Sequence, residues 1–222
     1  MVENGFALFD CSLVRLATGR SCINLRELLD ILRTAPLSVL EHHLLRCPLE
    51  DHFELYEFPN DLARWCWDAL GDHQLAEELA LLNPYAVGIS ELRSNVVNIL
   101  EDRLWTLDRV PWCRPGFELH LLESRLISFD TRERFTSLAS LAEAFPRFSR
   151  RSIFFHVHEA HARNGVDDFS AWLEYSGGPP ALIERIRAID FYFLNLNQLQ
   201  RQLLEAFCAH LSEPQVILGA MR

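Results

Sequence analysis

The stretch Asn60-Asp-Leu-Ala-Arg-Trp65 recurs 107 positions later as Asp167-Asp-Phe-Ser-Ala-Trp172. The same offset relates a glycine, a leucine and a tyrosine on the C-terminal side, namely Gly71 and Gly178, Leu75 and Leu182, and Tyr85 and Tyr192. A tryptophan, a glycine and a tyrosine kept at one spacing indicate an internal duplication of the chain.

Upstream of this stretch the offset between the two copies changes. It is 114 for the two Ser-x-x-x-His pairs, Ser38/His42 and Ser152/His156, and 113 for Leu25 and Leu138. Prolines at 111 and 115 and a glycine at 116 interrupt the helical pattern between the copies. The predicted organisation is a first repeat over residues 1–107, a linker at 108–116, a second repeat over 117–214 and a tail at 215–222.

Each repeat is predicted to be mainly helical. Leucines at helical spacing follow Asn24, a candidate N-cap, and the recurring stretch runs from a capping residue to a glycine in both copies. Residues 6–9 and 117–121 instead resemble short strands or extended arms. The predicted fold class is therefore mainly α: a tandem duplication of a roughly five-helix repeat with a pseudo-twofold relation, with short strands at most at each repeat start.

The composition excludes several functions. The 222-residue chain has 31 acidic and 21 basic side chains, a net charge of −10, and all its basic residues are arginine. The absence of lysine excludes Schiff-base chemistry and a P-loop lysine, and the negative charge argues against a nucleic-acid partner. Six cysteines without a CxxC pair are typical of reduced thiols. With neither a secretory signal nor a stretch of roughly 20 apolar residues, the chain is predicted to be cytoplasmic and to have no membrane partner.

Several motifs resemble an uncharacterised prokaryotic family that is catalogued only as a domain of unknown function. They are Thr18-Gly19 before residues 24–28, the Ser38/His42 pair, and the recurring Asp-Phe-Ser-x-Trp-Leu element. The resemblance covers nearly the whole chain and implies a folded, duplicated, cytoplasmic helical protein, but no reaction. The first copy departs from the pattern at Leu62, where an aromatic residue is usual, and the second lacks the Thr-Gly step.

The repeated Ser-x-x-x-His spacing gives the first candidate catalytic residues, His42 and His156. Residues four apart share a helix face, so each histidine is predicted to lie beside its serine, Ser38 or Ser152. A histidine next to a hydroxyl could act as a general base. Alternatively, a buried histidine bound to a carboxylate or carbonyl joins two helices, and a pair kept in both copies favours this structural role.

Asp61 and Asp168 complete the candidate catalytic set, since either carboxylate could orient a histidine ring. Each is also predicted to lie in the first turn of a helix, where a carboxylate meets exposed amides and the positive end of the helix dipole. We favour this capping role over catalysis. Trp65 and Trp172, four residues later on the same face, are predicted to pack in the core.

A histidine-rich segment suggests a metal site. His158-Glu-Ala-His161 resembles the zincin HExxH motif but is one residue short. His158, Glu159 and His161 could approach one ion, yet the first copy has Leu44 and Cys47 in place of the two histidines. A solvated helix face is the favoured interpretation.

Arg147, Arg150 and Arg151 form the basic cluster of this acidic chain. Arginine binds phosphate and carboxylate groups well, so an anionic or phosphorylated ligand is one interpretation of the cluster. Pairing with acidic residues of the same chain is the favoured alternative.

The leading functional hypothesis is a non-enzymatic accessory or regulatory protein that binds another protein through a duplicated helical scaffold, without a cofactor. It rests on the scaffold itself and on the absence of a Gly-rich phosphate loop or a nucleophile elbow. The competing hypothesis is a binding protein for an anionic small molecule, or a metal-assisted hydrolase. Its site would use His156, Asp168 and the arginines at 147–151.

Overall fold

The computed structural model describes residues 5–49 and 58–212 of the chain. The predicted tail at residues 215–222 lies outside these ranges. Within them, no helix combines the length and the apolar character needed to cross a membrane.

Two long strands pair with each other. β1 (Phe6–Cys22) and β2 (Leu119–Phe135) have 17 residues each and form a two-stranded sheet, which we call the ribbon. The Thr18 hydroxyl donates to the Leu121 carbonyl, and the Thr131 hydroxyl donates to the Leu8 carbonyl, so the strands are antiparallel. The predicted mainly α fold is therefore wrong: the fold combines α and β structure, and the strands extend far beyond the short segments expected.

Both strands contain a left-handed residue directly after a threonine. Gly19 has φ +73°, and Arg132, which follows Thr131, has φ +69°. In each case the hydroxyl also accepts a hydrogen bond from the backbone N–H two residues later, at Arg20 or Glu133. The second copy thus retains the turn of the Thr-Gly step, with an arginine in the conformation that glycine usually supplies.

The helices after β1 are α1 (Leu25–Thr34), α2 (Leu37–Leu40), α3 (Asp61–Trp65), α4 (His73–Ala80) and α5 (Ile89–Thr106). Of these, α1, α3 and α4 begin at a capping side chain. The Asn24 and Asn60 side chains accept from the backbone N–H groups of Glu27 and Ala63, which confirms Asn24 as an N-cap. Two π-helical turns, Glu41–Arg46 and Cys66–Leu70, continue α2 and α3.

The helices after β2 follow a similar order. They are α6 (Leu138–Ala144), α7 (Arg150–Phe154), α8 (Ala160–Asn164), α9 (Asp168–Tyr175), α10 (Pro180–Arg187) and α11 (Leu196–Ser212). A π-helical turn, Phe155–Glu159, joins α7 to α8, and two 3-10 turns occupy Phe145–Arg147 and Phe191–Phe193. The Ser137, Ser149 and Asp167 side chains cap α6, α7 and α9.

The chain divides into two compact units that do not follow its two halves. The α1–α5 unit comprises, among the described residues, 11–49, 58–128 and Tyr192–Asn195. The α6–α11 unit comprises, among the described residues, 5–10, 129–191 and 196–212. Each unit therefore contains one segment of β1 and one of β2.

The α1–α5 unit has a largely aliphatic core. Its buried residues include Leu25, Leu28, Leu32, Leu62, Leu75, Leu79, Val96 and Leu100 from the helices, and Leu119 and Leu121 from β2. Burial of these side chains is the main force that orders the helices against the strand.

The α6–α11 unit has an aromatic core. The Phe169 ring stacks on Phe6 of β1 at 4.9 Å and meets Phe145 edge-on at 5.5 Å, and Phe145 also meets Phe207 at 5.0 Å. These offset and edge-on arrangements are the ones that aromatic rings prefer. They pack α9 directly against β1, and they pack α11 against Phe145 and α9.

Candidate functional site

In the α1–α5 unit, His43 connects α3 to the ribbon. Its Nδ1 lies 3.0 Å from Asp61 Oδ2, and its Nε2 accepts a hydrogen bond of 3.1 Å from the backbone N–H of Leu122 on β2. The π-helical turn Glu41–Arg46 carries His43, and α3 carries Asp61 at its first position. Both side chains are buried.

In the α6–α11 unit, His156 makes the same two contacts. Its Nδ1 lies 2.8 Å from Asp168 Oδ2, and its Nε2 accepts a 2.9 Å hydrogen bond from the backbone N–H of Phe9 on β1. The π-helical turn Phe155–Glu159 carries His156, which is buried against Phe6 at a centroid distance of 4.8 Å. Both histidines thus lie in π-helical turns, an uncommon conformation that is frequent at functional positions.

The contacts define the protonation of both rings. A backbone N–H can only donate, so Nε2 must be the unprotonated nitrogen, and Nδ1 carries the proton that it donates to the aspartate. Burial raises the pKa of Asp61, but the hydrogen bond from His43 and the charge of Arg64 outweigh it and hold that pKa below its ordinary value. Asp61 therefore stays a carboxylate, which can accept the hydrogen bond from Nδ1.

The sequence-predicted pairs are arranged differently from the prediction. Asp61 binds His43 and not the predicted His42, whereas Asp168 does bind the predicted His156. The predicted serine–histidine contacts are replaced by others: the Ser38 hydroxyl donates to Glu123 Oε2, and the Ser152 hydroxyl lies 3.1 Å from Ser149 Oγ. Keeping the offset of 113 from Leu25 onward, without the change to 114, would have identified His43 as the counterpart of His156.

His42 is a buried histidine with an unused nitrogen. Its side chain is 1% exposed, and its Nδ1 has no hydrogen-bond partner within the described part of the chain. Burial, reinforced by the neighbouring His43, lowers the pKa of His42 to about 4, so the ring is neutral at pH 7. At the corresponding position, one residue before His156, the α6–α11 unit has Phe155.

His42, His43 and Asp61 are close enough to hold a metal ion, with one ligand atom of each within 4.8 Å of the others. A neutral His43 has a single proton, however, and both of its nitrogens are already engaged. A metal at Nδ1 would move the proton to Nε2 and break the hydrogen bond from Leu122. The group can therefore bind metal only at the expense of its attachment to the ribbon.

The predicted metal candidates His158, Glu159 and His161 do not form such a group with each other or with any residue in the ranges 5–49 and 58–212. His158 is buried, stacks on Phe154 at 5.1 Å, and has a pKa lowered to about 3 by burial. His161 Nδ1 donates to the Val157 carbonyl at 2.8 Å. Both rings therefore pack within the α6–α11 unit.

The predicted arginine cluster separates into different surroundings. Arg147, in a 3-10 turn, borders a concavity of about 290 Å³ in the α6–α11 unit, together with Asp10, Glu133 and Ser152. Arg150 and Arg151 belong to α7 and do not border it. The two predicted core tryptophans also differ: Trp65 is buried and donates to the Phe117 carbonyl, whereas Trp172 is partly exposed.

Comparison with known proteins identifies the family but no activity. The family described as "Family of unknown function (DUF5752)" matches residues 3–208 of this chain. A solved structure, OrfY from Thermoproteus tenax, is similar with a TM-score of 0.75 and 25% identity, over 91% of this chain and 94% of that chain. No curated protein is significantly similar to the chain in sequence.

Proposed function

The chain belongs to that family, whose description assigns no activity, and we therefore propose from the geometry that it is a non-enzymatic accessory protein that binds another protein through the ribbon. The proposed contact surface is the part of the ribbon within the α1–α5 unit, defined here by Val14, Leu16 and Ile127. We call it the ribbon surface.

The exposure of the ribbon surface is the observation that carries this proposal. Val14 and Leu16, two residues apart on one face of β1, are 42% and 44% exposed, and Ile127 on β2 is 54% exposed. β1 and β2 are paired and antiparallel, and the contact of the Thr18 hydroxyl with the Leu121 carbonyl places Val14 and Leu16 on the same stretch of the ribbon as Ile127. Adjacent apolar side chains left in water are typical of protein-binding surfaces.

The ribbon also offers backbone groups to a partner. In this two-stranded sheet each strand has one neighbouring strand among the described residues, so its other edge carries N–H and C=O groups that no described strand pairs. A partner strand can add to such an edge, with the apolar side chains supplying further contact area. This mode of binding requires no catalytic group.

The histidine contacts support a non-enzymatic role. A general base needs a ring nitrogen free to take a proton from substrate, but Nε2 of His43 and Nε2 of His156 both accept from a strand. The competing hydrolase hypothesis depends on His156 and Asp168. It would require the His156 ring to give up the hydrogen bond that it accepts from Phe9 on β1. We therefore favour binding over hydrolysis.

We further propose that the protein works in the cytoplasm, without a nucleic-acid or membrane partner and without a cofactor. Six cysteines are unpaired, and four of them, Cys11, Cys22, Cys47 and Cys66, are buried. Burial raises the pKa of the Cys47 and Cys66 thiols well above its ordinary value, which makes them unreactive. Reduced thiols of this kind suit a reducing compartment.

The test replaces Leu16 by a photo-crosslinking amino acid in the native host, and the crosslinked protein is identified by mass spectrometry. The affinity of the crosslinked protein is then measured for the unmodified chain and for Leu16→Glu. This substitution places a charge where the proposal needs an apolar contact. We expect the variant to bind at least about tenfold more weakly, equivalent to about 1.4 kcal/mol. Since the chain lacks lysine, amine coupling immobilises it through its α-amino group and leaves the ribbon unmodified.

Leu81→Glu is the control, because Leu81 is 74% exposed at the end of α4 and does not belong to the ribbon. It should bind like the unmodified chain. The proposal is overturned if no protein crosslinks to position 16, or if Leu16→Glu binds the crosslinked protein as tightly as Leu81→Glu does.

A further inference from the structure

The concavity in the α6–α11 unit is built from both strands and two helical turns. Asp10 lies on β1 and Glu133 on β2, while Ala144 ends α6 and Ser152 lies in α7. Its volume of about 290 Å³ is at the lower end of the range for small-molecule sites. The space is therefore sufficient for a small metabolite.

The corresponding corner of the α1–α5 unit contains larger apolar residues. At the offset of 113 that relates β1 to β2 and the N-cap Asn24 to the N-cap Ser137, Ala144 corresponds to Ile31 and Ser152 to Val39. Ile31 and Val39 are buried. The α6–α11 unit thus has a methyl and a hydroxyl where the other unit has branched apolar side chains, which leaves room for a ligand.

The charges around the concavity have both signs. The Arg147 guanidinium and the Glu133 carboxylate have no hydrogen-bond or ion-pair partner among the residues that the structure describes. Asp10 adds a second carboxylate, whose Oδ2 accepts from the Ser149 hydroxyl at 3.0 Å. Two carboxylates and one guanidinium favour a ligand that carries a cationic and an anionic group.

We propose that this concavity binds a small zwitterion of the amino-acid class, with the ligand's carboxylate on Arg147 and its ammonium group on Asp10 and Glu133. The guanidinium presents paired donors that match a carboxylate. The side chains of Leu8, Ala144 and Phe148 provide an apolar surface for the carbon atoms of the ligand. A simple anion would meet two carboxylates there, which disfavours phosphate or sulfate.

The binding test uses the purified full chain and the twenty common α-amino acids, each titrated separately by calorimetry. We expect at least one to bind with a dissociation constant below about 1 mM, corresponding to about −4 kcal/mol. Its carboxamide and its N-acetyl derivative should each bind at least tenfold more weakly, because each loses one charged contact. Inorganic phosphate serves as the test for a simple anion site.

Two variants test the location. Arg147→Ala removes the exposed guanidinium and should weaken binding at least tenfold; Ala144→Ile with Ser152→Val introduces the residues of the other unit and should abolish it. Arg151→Ala is the matched control, since Arg151 is a neighbouring arginine that does not border the concavity. Because Arg147 is exposed, Arg147→Ala is expected to fold. It therefore tests the location even if the double variant does not fold.

The binding measurements can overturn the proposal by several results. They are the failure of all twenty amino acids to bind, binding of inorganic phosphate as tight as that of the best amino acid, and unchanged binding by Arg147→Ala. Equal losses in Arg147→Ala and Arg151→Ala would also reject the assignment to this concavity.

Discussion

At the residue scale, His43 and His156 each bind one carboxylate, which is buried for Asp61 and partly exposed for Asp168, and one strand N–H. Asp61 and Asp168 accept from Nδ1, and Leu122 and Phe9 donate to Nε2. Removing either ring would leave the strand N–H without its acceptor and would take one partner from a carboxylate that then keeps only Arg64 or Arg163. Losing the partner of a buried polar group costs more than the net value of the hydrogen bond itself.

His43→Ala and His156→Ala should each lower the free energy of unfolding by about 3 kcal/mol, because the strand N–H loses its acceptor, the carboxylate loses one partner and a cavity forms. Urea unfolding followed by circular dichroism measures the change. His120→Ala is the control, since His120 is exposed, and it should change stability by less than about 0.5 kcal/mol. A loss below about 1 kcal/mol in both buried variants would contradict the structural role.

The pH dependence of stability tests the lowered pKa of His42, the residue before His43 in the α1–α5 unit. An ordinary histidine in the unfolded chain titrates near 6.5, while burial and His43 lower the folded pKa of His42 to about 4. Below pH 6.5 the unfolded state binds a proton that the folded state does not bind. The contribution of neutral His42 to stability is therefore fully present above that pH and is lost as the pH falls toward 4.

Between pH 7 and pH 5, wild type should therefore lose about 2 kcal/mol more stability than His42→Phe, which cannot bind the proton. Phenylalanine is the natural choice because Phe155 occupies the corresponding position before His156. Urea unfolding at the two pH values measures the difference. Equal losses for the variant and wild type would show that His42 titrates normally.

The sequence predicts part of this residue-level arrangement. His156, Asp168 and Asp61 are identified from spacing, because helix starts and helix faces leave a local pattern. The choice of His42 over His43 is wrong for Asp61, because matching the two Ser-x-x-x-His pairs imposes an offset of 114 where the structure keeps 113. Both histidines lie in π-helical turns, so the error comes from the alignment of the two copies and not from the helix type.

At the element scale, the ribbon is the feature that sequence patterns missed. Alternation of apolar and polar residues appears where one face of a strand is buried. The middle of each strand, near residues 14–17 and 127–130, is exposed. Without a buried face there, the alternation fades, so only the ends of the strands, near residues 6–9 and 117–121, were predicted.

The left-handed positions give a test of the ribbon's geometry. Arg132→Gly should stabilise the protein by about 1 kcal/mol, because glycine adopts positive φ without steric cost, and Gly19→Ala should destabilise it by a similar amount. No heavy atom lies within 4 Å of a Cβ built on Gly19, so the cost there is conformational and not a clash. Thermal unfolding measures both; stabilisation by Gly19→Ala would contradict the assigned conformation.

At the scale of the whole molecule, neither unit is made from one half of the chain. The core of the α1–α5 unit includes Leu119 and Leu121, which follow the predicted linker, and His43 of this unit binds Leu122. The matched positions of the two halves can be read from the sequence. The sequence does not show that each unit contains a segment of both strands, because this depends on contacts between residues about 100 positions apart, which no local pattern encodes.

A fragment of residues 1–107 should therefore fail to unfold cooperatively, whereas a fragment of residues 1–128 should show a cooperative transition. The longer fragment regains Leu119 and Leu121, each contributing about 2 kcal/mol by burial, and the partner strand for β1. Urea titration of both fragments by circular dichroism makes the comparison. A cooperative transition in residues 1–107 would show that the first half of the chain folds without β2.

The proposal that this protein is a binding scaffold depends on His43 and His156 using their Nε2 atoms to bind the ribbon and not a substrate. The tautomer of each ring in solution tests this directly, by long-range proton–nitrogen NMR of the histidine side chains at neutral pH. Both rings should be in the neutral form with the proton on Nδ1, because Leu122 and Phe9 donate to Nε2. A proton on Nε2 of either ring would contradict this arrangement, because that nitrogen could not then accept from the strand.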